Sequence, residues 1–427
     1  MNMWLFLTAV LILVIWLLFR RSSTKTETPE EVSVKYVESE QNDLKGFELT
    51  NTITMDLGRF SIKSGILKSN TNDAIDTRSV IGQIKDPARR KQLAIRKQEE
   101  FLVGNEAVRE RSIVGIRYPL IESNFCVSDY RLLLKSSLPK YLLKSSNKNI
   151  IVATNNDMHV DQKGEICRLL VEDMDVRFER IMFVSQPTCI LASRGLVSGL
   201  VVDCGHHDTR VTPVYESCSI PGLSKSGPVG GKVLSDILNK LILDNQGKNW
   251  TSSTELDILH DIKKKLCYVT MTPNSEIVTP QRYILPDRTA IDLGEERYQT
   301  PEYLFDPFYN TKVYNPLDQS ALGVHRLAHN VLQKIDPDFS SVMYNNIVLT
   351  GGSSMFEGFD KRFCDEFGRL ANKPSVVRKI PTNIDNDKSV WLGAALLSTT
   401  QFFEKNSFTP ADYNEQGANI IERMCFM

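Results

Sequence analysis

No CxxC pair occurs in the chain, and no cysteine pair is accompanied by histidines at zinc-finger spacing. That removes the usual zinc and dithiol-redox readings. The eight cysteines lie scattered at 126, 167, 189, 204, 218, 267, 364 and 425 and read as reduced thiols, most of them small hydrophobes of a core. An excess of either charge is missing too. Lys and Arg number 51 against 52 Asp and Glu, a formal net charge of −1, so no global basic field points to nucleic acid. What is present is an ordinary globular balance, 41% hydrophobic and 24% charged over 427 residues, which suits two or more domains with sizeable cores.

Charge is absent altogether from the first 19 residues, MNMWLFLTAVLILVIWLLF. As a helix this run measures about 28 Å, close to the hydrocarbon thickness of a thin bilayer such as that of the endoplasmic reticulum. Trp4 and Trp16 stand near its two ends, and Arg20, Arg21 and Lys25 follow at once. A cleaved signal peptide carries its cations before the apolar run and a small-x-small site after it; neither is found here. The reading is a transmembrane signal-anchor over 1–19, with everything after Phe19 facing the cytosol by the positive-inside rule. Residues 20–51 are polar and without apolar periodicity, which predicts a flexible tether about 30 Å from end to end.

The patterned body begins at 52. In NTITMDLGRFSIKSGIL, Ile53, Met55 and Leu57 alternate up to a turn at Gly58–Phe60, and a second alternating run returns, the signature of a hairpin. GLVVDCGHHDTRVTPVYE repeats the plan about 150 residues later: an apolar strand, an Asp, one residue, a Gly, and a cation seven positions after the Asp. The matching sets are Asp56, Gly58, Lys63 and Asp203, Gly205, Arg210. Two such hairpins suggest a duplicated α/β domain whose halves face a cleft, with turn amides able to cradle phosphates and the two Asp able to hold a hydrated magnesium. Plain hairpin turns use D-x-G as well. A third stretch, NNIVLTGGSSMFEGFDKRFCDEFGRL, reads as a buried strand, a Gly-Gly turn, Ser-Ser at a helix start, and an amphipathic helix through Phe356, Phe359, Phe363 and Phe367. That helix start favours an anion or a polar ligand.

Together with DIKKKLCYV at 261–269, SVWLGAALLS at 389–398 and the tail YNEQGANIIERMCF, these elements resemble the actin family, from about Thr52 onward. The stretch 123–183 matches poorly. The resemblance implies an α/β, actin-like fold of the actin, sugar kinase and heat-shock ATPase superfamily: duplicated α/β domains in four subdomains around a nucleotide cleft. The first subdomain is implied over 52–78, 119–193 and 389–427, the second over 79–118, the third over 194–229 and 319–388, and the fourth over 230–318. ATP or ADP with Mg²⁺ is the implied cofactor, and protein partners of the actin or actin-complex type are implied.

By the same resemblance Asp56 and Asp203 are the magnesium-facing carboxylates, Lys63 the phosphate lysine and Gln186 the residue that orients the attacking water. Gly58 and Gly205 belong to the phosphate turns. Gly231, Lys263, Gly351, Gly352, Ser353, Met355 and Phe356 fall on the nucleoside side. Departures gather at the chemistry. Arg59 and Phe60 replace a Ser and a Gly of the first turn, Cys204 replaces a Ser, and His206–His207 replace an Asp-Gly of the second. Arg210 stands in place of a catalytic His, Lys264 in place of a ribose-contacting Glu, and Asp387–Lys388 in place of a Lys-Tyr pair. Phe60 and His207 are expected to crowd a polyphosphate, and a guanidinium clamps phosphate without acting as a base near neutral pH. One positioned group is typically worth about 3 kcal/mol of transition-state stabilisation, so hydrolysis is expected to be impaired.

Two sharper readings stand beside these. A metal on His206, His207 and Asp208 is disfavoured, because neighbouring side chains on a strand point to opposite faces. KDPARRKQLAIRKQ at 85–98, with six cations and one acid, is an exposed charged helix or loop, or a contact for acidic lipid heads. PEYLFDPFYNTKVYNP at 301–316 is core packing or a contact surface. The expectation is a membrane-anchored interaction subunit. Its rival is an active ATPase polymerising at a membrane surface, and a chromatin subunit is disfavoured because it has no use for an anchor.

Overall fold

Strands form where β-branched and aliphatic residues run together, and the chain spends most of them on two sheets. The computed structural model describes residues 34–38, 51–68, 74–95, 100–120, 125–138, 148–174, 176–273, 277–371, 374–379, 386–417 and 419–424. The span expected at 1–19 lies outside these residues. Among them, no helix is long and apolar enough to cross a membrane.

In chain order the strands are β1 (Val34–Glu38), β2 (Thr52–Leu57), β3 (Ser61–Gly65) and β4 (Ile75–Arg78); then β5 (Ile81–Ile84), β6 (Phe101–Val103) and β7 (Val114–Arg117). β8 (Lys148–Thr154) and β9 (Phe178–Ser185) follow, then β10 (Gly199–Cys204), β11 (Thr209–Tyr215), β12 (Cys218–Ser219) and β13 (Lys225–Gly227). β14 (Gln281–Ile284), β15 (Ala290–Leu293), β16 (Ile347–Thr350) and β17 (Ser375–Lys379) complete the set.

The first large sheet has the order β4-β3-β2-β8-β9, and the second runs β1-β17-β16-β10-β11-β12, with β13 also on β11. Their centres share one plan. β2 pairs antiparallel with β3 and parallel with β8; β10 pairs antiparallel with β11 and parallel with β16. The hairpin repeat read from the sequence is therefore a repeat of sheet topology. Smaller sheets, β6-β5-β7 and β14-β15, belong to the two lesser units.

Period-2 alternation explains why the central strands are buried on both faces. Ile150 and Val152 of β8 join the core containing Ile53, Met55 and Phe183, while Ile151 and Ala153 join Met182, Val184 and Cys189 on the opposite face. β10 divides likewise: Leu200 and Val202 pack with Leu349 and Phe359, and Val201 packs with Ile190 and Leu191. The helix Gln186–Ala192 thus lies between the sheets, offering Cys189 to one and Ile190–Leu191 to the other. Ser185 caps it, accepting a bond from the Thr188 N–H. Against it packs Ser389–Leu397, buried at all but one position.

The crossing of those two helices leaves no room for a side chain. A Cβ at Gly393 would sit 1.7 Å from the Cys189 carbonyl oxygen, so the close approach requires glycine.

Two expectations change. Val34–Glu38, inside the presumed tether, is a strand paired in parallel with β17 from Val34↔Ser375 to Glu38↔Lys379; a free coil over all of 20–51 does not hold for this stretch. Ser353–Ser354 do not begin the long helix. They lie in a 3₁₀ turn, Gly352–Met355, and the helix Phe359–Leu370 starts only after Gly358. The basic segment takes the helix form among its expected alternatives, Pro87–Ile95, exposed at Pro87, Ala88, Arg89 and Lys91, because seven of its nine residues are good helix formers; residues 96–99 lie outside the described set.

Gly393→Ala is expected to lower the unfolding free energy by about 3 kcal/mol in urea titrations, because its methyl group would force the two helices apart. An equivalent alanine at Gly247, where nothing lies within 4 Å of an added Cβ, carries only the cost of its left-handed backbone, φ 68°, and serves as the comparison.

Candidate functional site

Each central strand carries an aspartate one residue before its end, Asp56 in β2 and Asp203 in β10. In β2–β3 the cross-strand partner of Asp56 is Lys63, and in β10–β11 the partner of Asp203 is Arg210. The spacing of seven seen in the sequence is thus a register in which a carboxylate faces a cation twice over. Both carboxyls are pushed up to about 6: burial raises each, opposed at Asp56 by Lys63 and a Gln186 hydrogen bond, and at Asp203 by Arg210 but aided by Asp208.

The turns that follow are tightly built. Ser79 Oγ donates to the Gly58 carbonyl at 2.7 Å, and a Cβ at Gly58 would come within 2.4 Å of the Ser61 carbonyl oxygen. In the second turn the Gly205 N–H bonds the Asp208 carbonyl at 3.0 Å. The third element closes over both: Gly351, at φ 87°, runs so near Asp203 that a Cβ would lie 2.4 Å from Oδ1. Only glycine fits that passage.

A cavity of about 390 Å³ opens between these parts. Asp56, Gly58, Lys63, Gln186, Asp203, Gly205, Gly231, Lys263, Gly351, Gly352, Ser353, Met355 and Phe356 all line it, so every site residue named from the sequence meets there except Arg210. Gln186 Nε2 donates to Asp56 Oδ1 at 2.7 Å. Lys263 bonds the Gly231 carbonyl and, at 2.9 Å, Ser235 Oγ; burial brings its ammonium down to about 8. Lys264 and Asp387, two of the departures, also line the cavity.

Arg210 lies beside the cavity in an ion cluster. Its guanidinium pairs with Asp208 at 2.6 Å and Asp157 at 2.5 Å, and it bonds Asn155. Arg59, from the first turn, reaches Asp208 at 3.2 Å and Asp157 at 3.8 Å. The two turns are therefore joined directly, Arg59 on one to Asp208 on the other. A second bridge is aromatic. The Phe60 ring stands 4.6 Å from His206 and 5.1 Å from His260, with the Arg78 guanidinium 3.8 Å over its other contact surface. Burial, then the nearby Lys263, depresses both imidazoles, His206 to about 3 and His260 to about 4. They are neutral near pH 7. A third link reaches the helix Ser253–Leu266 from the end of β4 and from the connection between β6 and β7: Arg78 and Arg111 both pair with Asp257.

These bridges decide how the implied Mg²⁺-nucleotide fits. Its cation side fits, since the Asp56 and Asp203 carboxyls both line the cavity. The nucleoside side fits as well: a Cβ on Gly352 would meet nothing within 4 Å. The polyphosphate side does not fit, because Arg59–Asp208 and Phe60–His206 cross from turn to turn where the phosphates would lie. A metal on the histidines receives no support; among the described residues no group of three His, Cys, Asp or Glu could hold an ion.

The family model described as Actin matches residues 47–426. The chain belongs to the actin family. Among its relatives is "Putative actin-29" of Dictyostelium discoideum, 28% identical over 389 residues, which covers 88% of this chain and 97% of that protein.

Sequence reasoning missed Asn155, Asp157, His260, Arg78 and Asp257. Asn155 and Asp157 follow β8 in the stretch that resembled the family least. The others sit on separate elements and meet the turns only through the fold, so no local spacing could reveal them.

Asp203 holds its proton to about pH 6 when folded against 3.8 for the ordinary carboxyl. Across that window the folded state binds more protons than the unfolded one, so stability falls as pH rises from about 4 to about 6, and the cost persists above it. Asp203→Asn is therefore expected to gain about 2 kcal/mol at pH 7, with the gain gone by pH 4, in urea titrations at both values.

Proposed function

We propose that this actin-family chain is a membrane-anchored interaction or scaffold subunit whose body faces the cytosol, binding nucleotide weakly or structurally and hydrolysing it slowly. One observation carries the slow chemistry: the Arg59–Asp208 ion pair that joins the two phosphate turns. Asp157 and Asp208 already neutralise Arg210, the replacement for the catalytic histidine. A paired guanidinium neither removes a proton from water nor turns freely toward a phosphate. Gln186 can still orient a water, but its amide is spent on Asp56.

Support for the membrane reading comes from the uncharged run 1–19 followed by Arg20, Arg21 and Lys25. An endoplasmic-reticulum-type bilayer suits its length. Actin-type protein partners follow from family membership, and contact with the bilayer is proposed through residues 1–19. A rival reading, an active ATPase that polymerises on a membrane, is favoured by the retained Asp56, Lys63, Gln186 and Asp203. The bridged turns weigh against it.

Phosphate release from Mg²⁺-ATP by the purified full chain is expected to be at least about a hundredfold slower than from conventional actin, the loss that follows removal of one well-placed stabilising donor. Turnover at the conventional rate would favour the rival. In cells, the chain is expected to stay with membranes through alkaline carbonate extraction, and deletion of residues 1–19 is expected to release it. Protection of the body from protease in sealed microsomes would reverse the orientation.

A further inference from the structure

The disagreement between the two sides of the cleft has its own consequence. Of the cations around the cavity, Arg59, Arg210, Lys63 and Lys263 are already engaged. Arg59 and Arg210 share Asp157 and Asp208, Lys63 faces Asp56 across β2–β3, and Lys263 is bonded to Gly231 and Ser235. Around the cavity five carboxylates stand against four Lys and Arg cations, so the lining attracts no surplus of negative charge. A polyphosphate would have to break the Arg59–Asp208 pair and part the Phe60 and His206 rings before its oxygens could reach the turn amides.

The other side of the cavity is open and differently made. Gly352 faces free space, Met355 is 45% exposed, and Phe356 lies beside them. Asp387 lines the same space and offers a carboxylate to hydroxyl or amine donors.

We infer that the cleft takes a nucleoside-class ligand, a planar nitrogen heterocycle bearing hydroxyl and amine donors, in preference to a nucleoside polyphosphate. This rests on the reading that the phosphate turns no longer serve hydrolysis. Arg59 and Phe60 act as specificity determinants by closing the turns against phosphate, while the apolar and glycine-lined end binds the heterocycle.

Calorimetric titration of the full chain in detergent micelles tests it, with adenosine, ADP and ATP as probes, each with and without Mg²⁺. Adenosine is expected to bind at least as tightly as ATP, and Mg²⁺ is expected to change the ATP affinity less than twofold. In Arg59→Ser/Phe60→Gly the ratio of ATP to adenosine affinity with Mg²⁺ is expected to rise about tenfold or more; Arg59→Ser alone, which keeps the ring stack, is expected to move it in the same direction. Tighter binding of Mg²⁺-ATP than of adenosine by about tenfold in the unaltered chain would overturn the inference, as would failure of adenosine to bind at millimolar concentration. Tight ATP binding without phosphate release would sink this ligand preference and leave the slow-hydrolysis reading standing. Rapid phosphate release would sink both.

Discussion

Everything in the cleft depends on two buried carboxylates held at equivalent places on two central strands. Asp56 and Asp203 stand one residue before the ends of β2 and β10, each with a cation opposite. Burying a carboxylate is unfavourable unless it is paired, and both are pushed toward neutrality. The fold carries that cost because the strands are clamped from both faces by aliphatic side chains and because Gly351 and Gly393 allow backbone to approach where a methyl group could not.

The turns beyond these strands have gone another way. In a phosphate-binding turn, small residues leave space for amides to reach oxygens. Here that space holds Arg59, Phe60, His206 and Asp208, which contact one another across the gap. Charges and rings belonging to the chain thereby link the halves of the molecule, a role that a bound polyphosphate would otherwise fill. The Arg78–Asp257 and Arg111–Asp257 pairs add a link at the outer rim.

Much of this was legible in the sequence because it is written locally. Alternation fixed the central strands, and the seven-residue spacing in each hairpin became a cross-strand pair. Gly351 was read as a close approach and proved to pass against Asp203. Phe60 and His207 were expected to crowd a phosphate. His207 lines the cavity with Phe60 and His206, and the ring contact across the gap is between Phe60 and His206. Contacts between distant elements were not legible: Asp157 and His260 reach the turns through tertiary placement alone. Nor was β1 foreseen within the polar stretch, although Val32, Val34 and Tyr36 alternate there with Ser33 and Lys35; Val34–Glu38 pairs with β17. The anchor at 1–19 rests on composition and length, and its place lies outside the described residues.

The claim that protein side chains, and not phosphate, join the turns is tested most directly by a double-mutant cycle on Arg59→Ser and Asp208→Val. Unfolding free energies of the four chains would be measured without nucleotide and again with Mg²⁺-ATP. A coupling energy of about 1 kcal/mol, the same in both conditions, is the predicted result for a partly buried ion pair. Coupling near zero without nucleotide, or coupling that disappears when Mg²⁺-ATP is added, would contradict it.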